Sequence, residues 1–356
     1  MKILMLVNWK VKYCDKIPDD KQPPDYYVKN MEYWFFRYFK EKTEVDVVDI
    51  SSFKWLENFE HYKIRFYIWQ TLKILPKLKK YDLVVSHGMQ SGIVLSLWRR
   101  LFNKKIKHIV FDIGAFNSAS ESGIALKVMQ FASKSIDGII YHTSNQIDYY
   151  KKHFPWLVDK SKFIRFGTDL DFFSANNLKE SDDRNLYFVC VGASKRDWNT
   201  LVEAYKRTNT NIKLRIIGNV QEEYSNVKGV EQLAYIPVKD LINQIYNARF
   251  CVLPLKVYNY SYGQMTFLQQ IAMGKAVLAA RTPSLIDYGI DGETNLFYEA
   301  ENVEDCYNKL NLLLNDIDLC KRIAYNGKKY LKEYCKEEIM AGEIEEFIKE
   351  KFVTNE

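Results

Sequence analysis

Tyr260-Ser261-Tyr262-Gly263-Gln264-Met265-Thr266-Phe267-Leu268-Gln269-Gln270-Ile271-Ala272-Met273-Gly274-Lys275-Ala276-Val277 is the stretch that decides how this chain folds. A polar, glycine-containing loop runs into a helix over 267–273, the helix stops at Gly274, and an apolar strand follows at once. The exposed N–H groups at such a helix start, reinforced by the helix dipole, attract an anion. Ser261, Gln264 and Thr266 place polar side chains around the same point. A loop, helix and strand in this order are one unit of an α/β sheet.

Working outward, the pattern repeats in both directions. Upstream strands are expected over 186–191, ending at Gly192; over 213–217, ending at Gly218; over 230–236; and over 250–255. Helices over 198–207 and 238–247 separate them, and the tail from Val303 onward is helical. The first half reads in the same way, with strands over 1–7, 44–50, 81–86, 107–111, 136–141 and 161–164. Helices are expected there over 26–42 and from the end of the 81–86 strand through Leu101. A mostly polar, charged stretch divides the two series. The expected organisation is an α/β fold of two Rossmann-like domains whose parallel sheets face each other across a cleft, with domains at 1–172 and 186–335, a linker at 173–185 and a final segment at 336–356. Ligands of such sheets sit at the carboxyl ends of strands, which draws attention to Gly192 and Gly218.

Size and composition agree with this. At 356 residues the chain is too long for one typical core. A net charge of +6 mildly favours acidic partners: nucleoside diphosphates, anionic lipid surfaces or nucleic acid. The six cysteines include no C-x-x-C pair, so neither a zinc site nor a disulfide framework is expected, and a reducing, cytoplasmic compartment fits. No apolar run reaches the length of a membrane span, and Met1–Val7 reads as a buried first strand rather than a signal peptide.

The 261–277 segment resembles the signature of retaining family-4 glycosyltransferases with the GT-B fold (glycosyl transferases group 1). In that family two acidic residues flank a short glycine-containing loop before an A-M-A-x-G-x-P-V run; here Ile271-Ala272-Met273-Gly274-Lys275-Ala276-Val277 is similar to the end of that run. Ser261 and Gln269 stand where the two acidic residues would be. Further matches follow in the family's order. Phe163–Phe173, with Gly167 and Asp169, looks like the segment before the linker. Phe188–Trp198 is similar to the strand and basic loop that bind phosphate, with Arg196 in place of the family's lysine and Lys195 beside it. Leu214–Asn219 is similar to the next strand-glycine turn, and Tyr235-Ile236-Pro237 falls where the nucleobase is held. The turn at Pro283–Leu296 and an amphipathic helix over 337–352, which in GT-B proteins crosses back to the first domain, complete the set.

The resemblance implies transfer of a hexose-like sugar from a nucleoside-diphosphate donor to a hydroxyl acceptor, glycan or lipid-linked, with retention of configuration. The implied donor-binding residues are Gly192, Ser194, Gly218, Asn219, Tyr235, Ile236, Ser261, Gly263, Gln264, Thr266 and Gln269. Arg196 and Lys195 are the implied catalytic cations, neutralising the leaving diphosphate so that no metal or other cofactor is required. Domain closure would exclude water. In the first domain, Asp112 is a catalytic candidate where the family usually carries a histidine, with a turn-capping role as the alternative; His87 also lies at a strand end. The aromatic, lysine-rich stretch 53–80, with Trp98-Arg99-Arg100 and Lys104-Lys105, leaves two readings open: a peripheral seat on an anionic membrane, at the cytoplasmic face, or a helix packing its rings on the sheet. No recognised nucleic-acid module coincides with the basic residues. A sugar-nucleotide epimerase and a non-catalytic nucleotide-binding relative stay open as alternatives.

Overall fold

The computed structural model describes residues 1–114, 121–176 and 178–352. Position 177 of the expected linker and 353–356 of the expected final segment lie outside them. The chain divides into two compact units. The first groups Met1–Arg165 with Asn259–Tyr262 and the residues from Glu338 onward; the second comprises Phe166–Tyr258 and Gly263–Glu337. Residues 166–172, expected with the first domain, thus fall in the second unit.

The first unit holds strands β1 (Lys2–Val7), β2 (Lys12–Cys14), β3 (Tyr26–Val28), β4 (Glu44–Val48), β5 (Leu83–His87), β6 (His108–Asp112), β7 (Gly138–Tyr141) and β8 (Ser161–Phe163). Its helices are α1 (Lys54–Asn58), α2 (Ile68–Ile74), α3 (Met89–Leu101), α4 (Ile124–Ser133) and α5 (Gln146–His153). Six strands form one parallel sheet in the order β4-β1-β5-β6-β7-β8, while β2 and β3 pair separately. The middle strands are buried almost throughout, with apolar runs Ile3–Val7, Leu83–Val85 and Ile109–Phe111, because both of their faces are covered. The strand order reverses between β1 and β5.

The second unit holds β9 (Tyr187–Gly192), β10 (Lys213–Gly218), β11 (Val230–Ala234), β12 (Cys251–Leu253), β13 (Val277–Arg281) and β14 (Leu296–Glu299), with helices α6 (Trp198–Lys206), α7 (Val238–Asn247), α8 (Gln264–Ala272), α9 (Val303–Asn315) and α10 (Ile317–Tyr334). Its parallel sheet runs β11-β10-β9-β12-β13-β14, the dinucleotide-fold order, and reverses between β9 and β12. Asp197, Asn302 and Asp316 cap α6, α9 and α10 by accepting backbone N–H groups of the first turns.

The last helix, α11 (Glu337–Phe352), belongs almost wholly to the first unit. Met340, Ala341, Ile344, Phe347 and Ile348 form its buried stripe, and the Phe347 ring lies against Gly138 of β7. Among the described residues no helix is long and apolar enough to cross a membrane.

Two expectations need correction. The 26–42 stretch is not a helix: it forms β3 and a single 3₁₀ turn over Trp34–Tyr38. Trp34, Phe35 and Phe36 are buried in succession, not on a helical stripe, and Phe35 reaches Phe111 of β6 at 5.9 Å between ring centres. Aromatic residues lose side-chain freedom in a helix, so burial of consecutive rings wins over a regular helix here. Tyr27 and Tyr13 donate hydroxyl hydrogen bonds to the Val45 and Val47 carbonyls of the edge strand β4 (3.3 and 3.2 Å), closing that edge. The 53–80 stretch is also broken. It contains α1, a π-helical turn over Phe59–Ile64, α2, and a 3₁₀ turn over Leu75–Lys80 that carries Pro76.

Candidate functional site

The second unit gathers its functional side chains where its strand order reverses, the place where open α/β sheets bind ligands. The loop after β9 (Ala193–Arg196) and the loop after β12 meet there. Arg196 and Leu255 form an antiparallel bridge, Lys256 N–H donates to the Lys195 carbonyl (3.1 Å), and Asp197 N–H donates to the Pro254 carbonyl (2.8 Å). Each loop is therefore held by backbone bonds to the other.

Arg196 is fixed from several directions. Its Nε donates to the Val191 carbonyl (3.1 Å), its Nη1 to the Ser194 carbonyl (3.1 Å) and its Nη2 to Thr266 Oγ1 at the start of α8 (3.5 Å). Its guanidinium lies so close over Gly192 that a Cβ there would come within 2.2 Å of Nη2. Gly192 also has φ +122°, open to glycine and costly for other residues. Gly218 ends β10 in register with it.

Lys195 stands beside Arg196 with its ammonium 5.7 Å from the centre of the Tyr258 ring. Packing around the amine and the neighbouring guanidinium both lower its pKa. Two adjacent cations raise each other's cost, and an incoming anion relieves it. Tyr258 is a participant that sequence reading missed; its signal was its place in the ring-rich run before Gly263.

The start of α8 completes the arrangement. Gly263 takes a left-handed conformation (φ +81°) and carries no side-chain cap; a Cβ there would meet Leu255 Cδ1 at 2.6 Å. Glycine thus lets the chain turn into the helix directly over Leu255. Thr266 lies in the first turn, linked to Arg196, while Gln264 and Gln269 are buried along the helix. Asn219 and Tyr235, exposed, follow the ends of β10 and β11, with Ile236 half-buried beside them. Ser194 is exposed in the loop after β9. Ser261, buried, falls among the four residues grouped with the first unit, so it is not part of the cluster the second unit assembles by itself.

Asp112 in the first unit is fully buried. Its carboxylate accepts bonds from the Gly114 N–H (3.1 Å), Gln146 Nε2 (3.1 Å) and the Tyr150 hydroxyl (2.6 Å). That is the arrangement of a buried turn cap, so of its two expected roles the geometry fits the capping one. His87, at the end of β5, is packed against Trp9, Trp34 and Phe111 with ring centres 4.9 to 5.2 Å away. Burial, aided by His142, pushes its pKa down to about 3, so its imidazole is neutral.

The site therefore offers two cations, a hydroxyl and a helix N-terminus at one strand-order reversal, a constellation suited to a diphosphate. Residues 170–330 match the family "Glycosyl transferases group 1". The chain has the GT-B fold, and its 170–330 segment is similar to that family. Over 88% of its length, and 89% of the relative's, this GT-B chain is 23% identical to an uncharacterized glycosyltransferase of Methanocaldococcus jannaschii. Its fold is similar to that of sucrose-phosphate synthase from Thermosynechococcus elongatus (TM-score 0.69, 15% identity, covering 99% of this chain and 100% of the other). It is also similar to HepE of Anabaena, solved in complex with UDP (TM-score 0.68, 13% identity, covering 98% and 100%). The match over 170–330 supports glycosyl transfer as the activity.

Proposed function

We propose that the second unit binds a nucleoside-diphosphate sugar and that the chain transfers the sugar, with retention of configuration, to a hydroxyl of a glycan or lipid-linked acceptor taken up by the first unit. The observation that carries this reading is the Lys195–Arg196 pair, linked through Arg196 to Thr266 at the start of α8. In the reaction the bond between the anomeric carbon and the diphosphate oxygen breaks, and its electron pair leaves with the nucleoside diphosphate. The acceptor oxygen forms the new bond to the same carbon, and its proton passes to the departing diphosphate oxygen. Lys195 and Arg196 neutralise the charge growing on the leaving group, so the chain's own cations serve where a metal otherwise would. HepE, of the same fold, is recorded with UDP, which makes uridine diphosphate the first donor base to try. Six free cysteines suit a reducing, cytoplasmic setting.

A thermal-shift screen of UDP, GDP, ADP, CMP and their sugar conjugates tests the reading. One nucleotide diphosphate is expected to raise the melting temperature, because a ligand at about 100 times its Kd stabilises by about 2.7 kcal/mol. A flat response to all of them rejects it. Gln269→Ala, which removes a buried amide from α8, is expected to raise the donor's KM several-fold with little change in kcat; an unaltered donor KM would exclude Gln269 from the donor site. Ser261 and Gln269, uncharged where the family carries acids, favour one second reading, a nucleotide binder without transfer activity. Nucleotide stabilisation without release of nucleoside diphosphate from any sugar conjugate would mark that case.

A further inference from the structure

The first unit carries a wall that its sheet does not require. β2 and β3 pair only with each other and stay outside the six-stranded sheet. They set Tyr13 and Tyr27 in register beside the edge strand β4, whose carbonyls at Val47 and Val45 accept the two hydroxyls. Each ring is thereby fixed at its hydroxyl end. Between these rings, β4 and the end of α2 lies a cavity of about 400 Å³, inside the roughly 300–1,000 Å³ range of small-ligand sites. It runs alongside β4 rather than beyond the carboxyl ends of the strands, where an open sheet ordinarily takes its ligand.

The lining combines apolar, aromatic and charged groups. Its floor is apolar: Leu4 and Ile74 belong to the core under α2, and Val48 is a partly buried side chain packed against that core. The Tyr13 and Tyr27 rings are 6.0 Å apart and inclined at 59°, and Tyr13 remains 52% exposed, so its ring is free to meet a ligand. Asp46 supplies a carboxylate. It accepts the Tyr81 hydroxyl at 2.6 Å, and no other hydrogen bond reaches it among the described residues. Two ammonium groups complete the lining. Lys73 donates to the Ser51 carbonyl (2.7 Å), while Lys77 is exposed and makes no ion pair among the described residues.

This combination narrows what can bind. An added peptide strand would need the outer carbonyls of β4, and tyrosine hydroxyls already occupy those of Val45 and Val47. A polyanion would be repelled by Asp46. A wholly apolar ligand would strip water from Asp46 and Lys77 without replacing its hydrogen bonds. A sugar unit meets every condition: its C–H faces can lie on the inclined rings, and its hydroxyls donate to a carboxylate and accept from ammonium groups. We infer that this cavity binds a neutral sugar unit of a glycan, with Tyr13 and Tyr27 as its platform and Asp46 as the acceptor of its hydroxyls. The inference rests on the proposed transfer reaction only in making that glycan the acceptor; the binding itself is independent of the donor site.

Saturation-transfer NMR on the full chain decides the matter, with the methyl pyranosides of glucose, galactose, mannose and N-acetylglucosamine and their disaccharides as probes. At least one probe is expected to receive saturation, and the variants locate it. Tyr13→Ala removes the ring and should weaken that probe's binding about ten-fold, whereas Tyr13→Phe keeps the ring and should stay within about two-fold of the parent. Asp46→Asn keeps an oxygen for the Tyr81 hydroxyl but loses the charge, and should also weaken binding about ten-fold. The rise in melting temperature with nucleotide should match the parent's in all three, which shows that each variant is folded. Absence of saturation in every probe overturns the inference, as does binding that Tyr13→Ala and Asp46→Asn both leave unchanged. Sugar binding that these variants weaken, in a protein whose parent gives no nucleotide response, would instead remove the donor assignment and leave the sugar site standing.

Discussion

Arg196→Ala is expected to lower turnover by roughly 10²-fold or more, the scale of losing one fixed charge that acts on a developing negative centre. The expectation follows from how firmly the guanidinium is held. Bonds to the Val191 and Ser194 carbonyls orient it before any ligand arrives, and its Nη2 edge is directed to Thr266 in the first turn of α8. Under the proposed reaction, a charge positioned in this way needs no reorganisation as the diphosphate departs, so its loss is expected to act on kcat more than on donor binding. Steady-state rates on the donor identified by the nucleotide screen provide the measurement. Arg196→Lys should recover part of the loss, since it keeps the charge but not the two carbonyl bonds. An unchanged kcat in the alanine variant would remove Arg196 from the reaction.

Gly192→Ala should come second in size although it removes no functional group. The added methyl would sit 2.2 Å from Arg196 Nη2, and the backbone would be held at φ +122°. The first effect displaces the guanidinium; the second costs stability, about 1–3 kcal/mol for a non-glycine residue kept in a sparsely populated region. We expect kcat/KM to fall at least ten-fold, on the scale of losing part of a charge stabiliser, with a lower melting temperature. The double variant separates the two effects. If Gly192 acts through Arg196, then Gly192→Ala adds little further kinetic loss once Arg196 is already alanine, while its stability cost persists. Fully additive kinetic losses would show that glycine matters there for another reason.

These two residues also show what could be read in the chain. The alternation of apolar runs and amphipathic segments specified both parallel sheets, because a strand covered on both faces must be apolar throughout, as in Ile3–Val7 and Tyr187–Cys190. The last helix was legible in outline because its buried positions keep helical spacing. The basic pair at 195–196 was visible as a local pattern. What it touches was not: the pairing of Arg196 with Leu255 and the approach of Lys195 to Tyr258 join positions some sixty residues apart in the chain, and no local periodicity encodes such a contact. The 26–42 stretch misled for the converse reason. Its apolar residues are plentiful, but Trp34, Phe35 and Phe36 are all buried in succession, so tertiary packing overrides the helical pattern. Asp112 looked available at a strand end, yet the Tyr150 hydroxyl and Gln146 amide that enclose it come from a helix more than thirty residues downstream.

The backbone pairing between the loops after β9 and β12 has a consequence for attempts to change which donor such a protein accepts. Lys195 with Lys256, Arg196 with Leu255, and Asp197 with Pro254 make each loop the template on which the other takes its shape. Transplanting one of them from a relative would leave the newcomer against a mould cut for a different partner. The exchangeable part is the pair, together with the glycine that lets the chain pass over Leu255, and a library built on this scaffold would vary the two loops jointly.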